Sequence, residues 1–194
     1  MPPVSRTTAK RMLKHYSNEP MTDDDIQYLL RQFKLKDSDR SAAVMGGAVV
    51  DRVLLDRLMF SFRPMQKEHR DRLTTGDGAP LATLSARTKI AFALDIITPI
   101  ERDEIDCIRE VRNAFAHSIR GLTFDNPEVA ALCDHLVLCP VPAEGQELPP
   151  KELFESARFI FISSCIAIMQ RLVVDSDEAK QRIIDWMRKN EDRM

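Results

Sequence analysis

The sequence has few glycines and no long apolar run, and these shortages exclude several classes of protein. Only six of its 194 residues are glycine, and none lies in a Gly-rich phosphate loop or a Rossmann turn. The longest apolar-rich stretch, residues 159–169, falls well short of the roughly 20 residues that a membrane-spanning helix needs. The N-terminus lacks the apolar segment of a secretory signal. We therefore expect a cytoplasmic protein with no membrane segment.

The cysteines are sparse and do not indicate a metal site. Four cysteines occur, and no two of them form a Cys-x-x-Cys pair. Cys133, His135 and Cys139 could be drawn as three ligands, but a structural zinc site uses four in tighter pairs. Each cysteine lies in an apolar helical context or at a helix end, which favours reduced core thiols. We expect neither a metal nor a cofactor.

The sequence also lacks a net positive charge and a DNA-reading motif. The formal net charge is −2, so the chain as a whole is not attracted to nucleic acid, although a local basic patch could exist. The sequence contains no helix-turn-helix motif, in which a short helix and a Gly-containing turn precede a second helix whose polar residues contact the bases. We therefore expect no direct sequence-specific DNA binding.

Apolar residues recur at three- and four-residue spacing along most of the chain, which predicts an all-α fold. We predict a compact multi-helix bundle of about seven helices in a single domain, residues 1–194, with residues 1–20 as a flexible basic arm. The predicted helices span residues 22–33, 41–61, 84–97, 99–120, 126–138, 150–174 and 178–189.

Two of these segments carry further predictions. Gly46 and Gly47 inside the second helix cost about 1 kcal/mol each against alanine, so we expect another helix to cross closely there. The helix at 84–97 is apolar almost all round, which predicts a place in the middle of the domain. In the long connection from Pro64 to Pro80, residues 65–73 could form a short helix whose arginines line a groove.

The helix from Ile105 to Arg120 has two distinct faces. The apolar face consists of Ile105, Ile108, Val111, Phe115 and Ile119. The polar face consists of Asp106, Arg109, Asn113, His117 and Arg120. Such an array of donors is suited to a phosphate or a carboxylate, and the alternative is a solvated or interface face without chemistry.

Residues 80–133 carry a resemblance to a known family. The block PLATLSARTKIAFALDII, then RNAFAHSI and TFDNPEV, resembles the mannitol operon repressor (MltR-like) family. The segment RNAFAH, residues 112–117, also resembles the R-polar-x-x-x-H signature of HEPN-type helical domains. The first resemblance implies an HEPN-like helical regulator that lacks a DNA-binding motif and acts through a protein partner. We expect this function, without enzymatic activity, and a homodimer.

The second resemblance implies a different function, a metal-independent ribonuclease that works as a dimer and takes RNA as its substrate. Arg112 would stabilise the phosphate, Asn113 would orient the substrate and His117 would transfer the proton. A histidine with a pKa of about 6.5 suits that step. In the regulator, the binding residues would be Arg109, Arg112, Asn113, His117 and Arg120.

The spacing of the signature leaves both functions open. Arg112 and His117 point about 140° apart on a regular helix, so they meet only if the helix ends or bends near His117, or across a dimer. His117 could instead serve as a basic residue at the negative end of the helix dipole. Arg112 could instead form a salt bridge, for which Asp51, Asp56 and Asp95 are the candidate partners.

Overall fold

A computed structural model describes Thr8 and residues 38–76, 78–139 and 156–173. The chain divides into two compact units, Met1–Lys34 and Leu35–Met194, and every described residue except Thr8 belongs to the second. The predicted helices at 22–33 and 178–189 and most of the predicted basic arm lie outside the described residues. The single domain over residues 1–194 stays a prediction.

The described residues form six α-helices and no strand, which confirms the predicted all-α bundle. The helices are α1 (Asp39–Ser61), α2 (Lys67–Thr74), α3 (Leu84–Ala93), α4 (Pro99–His117), α5 (Pro127–Cys133) and α6 (Ala157–Leu172). The short predicted helix at 65–73 corresponds to α2. None of the helices in the described part of the chain is both long enough and apolar enough to cross a membrane.

The core lies between α1, α4 and α6, each of which buries one or more faces against the other two. Their fully buried side chains include Val50, Leu54, Leu58, Ile105, Ile108, Val111, Phe115, Phe161 and Ile168. The predicted close crossing at the two glycines is confirmed. A Cβ at Gly46 would lie 2.9 Å from Cys165 Sγ and 2.9 Å from Phe161 Cε1, so α6 comes as near as a glycine permits.

Side-chain caps fix where the helices begin. At the start of α4, Thr98 and Glu101 form a capping box, and Pro99 occupies the first turn, where its missing N–H costs nothing. Glu101 Oε2 accepts from the Thr98 amide at 2.7 Å, and Thr98 Oγ1 accepts from the Glu101 amide at 3.2 Å. At the start of α5 the N-cap residue is Asn126, whose side chain makes no capping hydrogen bond within the helix.

The loop after α4 is held by an aromatic cluster and by one carboxylate. The Phe124 ring lies 4.9 Å from the Phe115 ring and 5.4 Å from the Phe161 ring, measured between centroids. Asp39, at the start of α1, accepts from the Phe124 amide at 3.0 Å and from Arg158 Nη1 of α6 at 2.9 Å. Residues of the TFDNPEV block therefore stabilise the fold.

Three charged side chains are buried in the described part of the chain: Glu101 of the capping box, Glu104 and Arg87. Glu104 of α4 is 3% exposed and accepts from the amides of Val137 and Leu138 and from Ser164 Oγ of α6. Arg87 of α3 donates to the Leu81 carbonyl and to Asp51 of α1. Such pairing removes most of the cost of burying a charge.

Several predicted helix ends and one predicted position are wrong. The helix predicted at 84–97 ends at Ala93, because Asp95 takes a left-handed conformation with φ of 53°. It also lies at the surface rather than in the middle, with Ile90 38% and Leu94 51% exposed. α5 ends at Cys133 rather than near residue 138, and α6 begins at Ala157 rather than at residue 150.

Candidate functional site

The C-terminal half of α4 carries the predicted site residues, and its end is well defined. The helix ends at His117, and Ser118 turns the chain with an extended conformation, φ −65° and ψ 127°. Arg40, in the first turn of α1, donates from Nη2 to the Ser118 carbonyl. The start of α1 therefore meets the end of α4, and a cation satisfies one of the carbonyls that a helix end leaves without a partner.

Arg112 is half-buried, and its position depends on α1. A Cβ built on Gly47 would lie 2.5 Å from Arg112 Cγ and 2.7 Å from Arg112 Cβ, so the stem of the arginine passes directly over the glycine backbone. Its Nη1 donates to Oδ1 of the neighbouring Asn113 at 2.9 Å. The two adjacent signature residues are thus in contact, and one N–H of the guanidinium is already used.

The three carboxylates proposed for a salt bridge to Arg112 do not form one. Asp51 pairs with Arg87, and Asp56 pairs with Arg52 at 2.9 Å within α1. Asp95 lies in the turn after α3 and is exposed. Within the described residues Arg112 has no ion pair, since Asp51 and Asp56 pair with other arginines and Asp95 does not contact it.

The other predicted residues spread away from Arg112. Arg109 donates from Nε to Asp106 Oδ1 at 3.2 Å and lies 3.6 Å from Glu110 through Nη2, so local carboxylates neutralise it. His117 is exposed in the last turn of α4. Arg120 is exposed and lies beyond the helix, so it does not continue the polar face. Arg112 and Asn113 are in contact with each other. Arg109, His117 and Arg120 form no side-chain hydrogen bond with either of them.

Ile119 departs most from the sequence pattern. It was expected on the buried apolar face, but α4 ends two residues earlier and the extended Ser118 turns the chain outward. Ile119 is 101% exposed, whereas the other four members of that face are fully buried. Residues 117–120, which we call the α4 end, therefore present an isoleucine between the exposed side chains of His117 and Arg120.

The sequence did not indicate the role of two residues in this region. Arg40 was not singled out at all, and Gly47 was not expected to contact Arg112. The glycine pair indicated a close crossing, but no pattern showed which helix or side chain would cross. Arg40 carried no signal, because its contact with Ser118 spans 78 residues of sequence.

The described residues offer no group of three or more His, Cys, Asp or Glu side chains that could hold a metal ion. Cys107, Cys133 and Cys165 are buried free thiols, as expected, whereas Cys139 is exposed and does not belong to the core. Burial, with the nearby Glu110 and Glu104, raises the pKa of Cys107 to about 11. Burial and the neighbouring Cys107 raise the pKa of Cys133 to about 12. These thiols are protonated at neutral pH and are poor ligands and nucleophiles.

No family model and no curated protein matches the chain, but a solved structure does. The match is to one chain of the X-ray structure of the MtlR–HPr complex from Escherichia coli, with a TM-score of 0.59. This chain has that fold. The two sequences are 18% identical, and the alignment covers 76% of this chain and 98% of the other. At this identity the likeness to MtlR–HPr shows the fold alone, and it agrees with the fold that the repressor-family resemblance implied.

Proposed function

We propose that the protein is a regulator that acts by binding a protein partner at the α4 end, and that HPr is that partner. Two findings support a protein partner. The matched structure is a complex of MtlR with HPr. The sequence has no helix-turn-helix motif through which a regulator could read DNA directly.

The observation that carries the proposal is the exposure of Ile119. An isoleucine that is 101% exposed gains about 1.5–3 kcal/mol when a partner buries it fully. Arg120 and His117 flank it, and arginine is enriched at protein interfaces. With Arg40 next to Ser118, the surface combines one apolar side chain with two guanidinium groups and an imidazole. A partner face with an apolar patch bordered by carboxylates would complement it.

The experiment is a calorimetric titration of the full chain with HPr from the organism that encodes it. We expect saturable binding, and we expect Ile119→Ser to weaken it by about 10- to 150-fold, which corresponds to the burial energy of the side chain. Ile100→Ser is the matched control. Ile100 is 55% exposed and lies at the other end of α4, about 25 Å away at 1.5 Å per residue.

Unfolding midpoints of both variants should equal that of the unmodified chain, because neither isoleucine lies in the core. The proposal is wrong if HPr does not bind, or if Ile100→Ser weakens binding as much as Ile119→Ser does.

A metal-independent ribonuclease is the second candidate, and the exposed position of His117 favours it. The imidazole at the helix end is open to a substrate and to the corresponding residue of a second copy. Arg112 lies against α1, so a catalytic pair would need a dimer that brings the two copies together. This function predicts RNA cleavage in EDTA with cyclic phosphate ends, and loss of cleavage in His117→Ala at unchanged stability. Intact RNA at micromolar protein would exclude it.

A further inference from the structure

We propose that the segment joining α1 to α2 forms a binding site for a small organic anion, with Arg63, His69 and Arg72 recognising a phosphate or carboxylate group. The site is separate from the α4 end and independent of the function proposed there. The site gives a role to the short basic helix that the sequence predicted at residues 65–73.

The three basic side chains line one cavity. Arg63 follows the end of α1, and His69 and Arg72 are three residues apart in α2, so they share a helix face. The cavity has a volume of about 600 Å³ and is also lined by Gln66, Met65 and Leu73. This volume is typical of small-molecule pockets, which measure roughly 300–1,000 Å³.

The described side chains that line this cavity include three basic groups and no acidic one. Several arginines elsewhere pair with a carboxylate, as Arg87 does with Asp51, Arg158 with Asp39 and Arg109 with Asp106. Within the described residues, Arg63, Arg72 and His69 have no ion pair, and no acidic side chain lines the cavity. The two acidic side chains of α2, Glu68 and Asp71, are not part of the lining, so the concave surface itself is cationic and favours an anion.

The chemistry of the lining also indicates the rest of the ligand. A guanidinium binds a phosphate or carboxylate through two parallel hydrogen bonds, and two arginines here can contribute such bonds. Met65 and Leu73 provide apolar walls beside them. The best ligand therefore combines an anionic group with an apolar body, and inorganic phosphate alone should bind more weakly.

The cavity lies far from Arg112. Gly47, beneath Arg112, and Ser61, at the end of α1, are 14 residues apart on one helix, or about 20 Å. Substitutions in the cavity should therefore leave the α4 end and its partner binding unchanged.

Calorimetric titration of the full chain tests the site with three probes: phenyl phosphate, benzoate and inorganic phosphate. We expect saturable 1:1 binding of phenyl phosphate or benzoate, and the tighter of the two identifies the anionic group. Inorganic phosphate should bind at least several-fold more weakly than phenyl phosphate. Arg72→Gln should weaken binding about tenfold, since it removes the bidentate donor.

Lys67→Gln is the matched control. Lys67 lies in the same helix, is exposed and does not line the cavity, so its removal changes the net charge equally. We expect the Lys67→Gln variant to bind phenyl phosphate or benzoate with an affinity within about twofold of that of the unmodified chain. If Lys67→Gln and Arg72→Gln weaken binding equally, the anion is held by non-specific electrostatic attraction, and the proposal is wrong. Absence of saturable binding by both phenyl phosphate and benzoate would also overturn it.

Discussion

Replacing Gly47 by alanine should reveal how tightly α1 determines the position of Arg112. The new Cβ would lie 2.5 Å from Arg112 Cγ and 2.7 Å from its Cβ, well inside van der Waals contact. Overpacking of this kind costs about 1–3 kcal/mol. Replacing glycine by alanine in a helix interior raises the free energy of unfolding by about 1 kcal/mol. We therefore expect a net loss of about 1 kcal/mol in the free energy of unfolding.

A double-mutant cycle isolates the contact from the helix propensity. Arg112→Ala removes Cγ and leaves Cβ, so Gly47→Ala should cost less in that background, by at least about 0.5 kcal/mol. Ala48→Gly is the control, because Ala48 is the next residue of α1 and is exposed, so its cost of about 1 kcal/mol measures the propensity alone.

The free energies come from urea denaturation followed by circular dichroism. If Gly47→Ala stabilises the protein by about 1 kcal/mol in both backgrounds, only propensity acts and the close contact with Arg112 does not exist.

Four further predictions concern buried side chains and the cysteines. Glu104→Gln should lose about 2–3 kcal/mol in urea denaturation, because the amide replaces one of the carboxylate oxygens that accept buried donors; an unchanged midpoint would contradict this account. Phe124→Ala should cost about 3–5 kcal/mol, since it removes the central ring of the aromatic cluster, and a loss below about 1 kcal/mol would mean that the loop does not pack on α6. At pH 8 a thiol reagent should modify the exposed Cys139 rapidly and the three buried thiols only on unfolding. Because the folded pKa of Cys133 is raised from 9.0 to about 12, its contribution to stability is complete below pH 9 and is lost between pH 9 and 12, which urea denaturation at those pH values should record.

Local chemistry predicted some of the helix starts. The starts of α3 at residue 84 and of α4 at residue 99 depend only on neighbouring residues, so the sequence was enough to predict them. The glycine pair indicated a close helix crossing because two interior glycines need a compensating contact.

Helix ends and long-range partners could not be predicted in the same way. The apolar period continues through Ile119, but the chain leaves the helix at Ser118, whose carbonyl Arg40 binds from another helix. The predicted salt bridge of Arg112 is wrong for a similar reason. Asp51 pairs with Arg87 of α3 instead, and this long-range pairing leaves no local pattern in the sequence. The apolar sequence of α3 indicated a central helix, yet the buried Arg87, which pairs with the partly exposed Asp51, lies on one face, and Ile90 is exposed on another.

The central claim is that the α4 end binds a protein partner through Ile119. Titration of HPr into the unmodified chain, Ile119→Ser and Ile100→Ser tests it most directly. The account predicts saturable binding that Ile119→Ser weakens by about 10-fold or more and that Ile100→Ser leaves unchanged, because only Ile119 lies at the proposed contact. Equal affinity of all three proteins, or no binding to any of them, would contradict it.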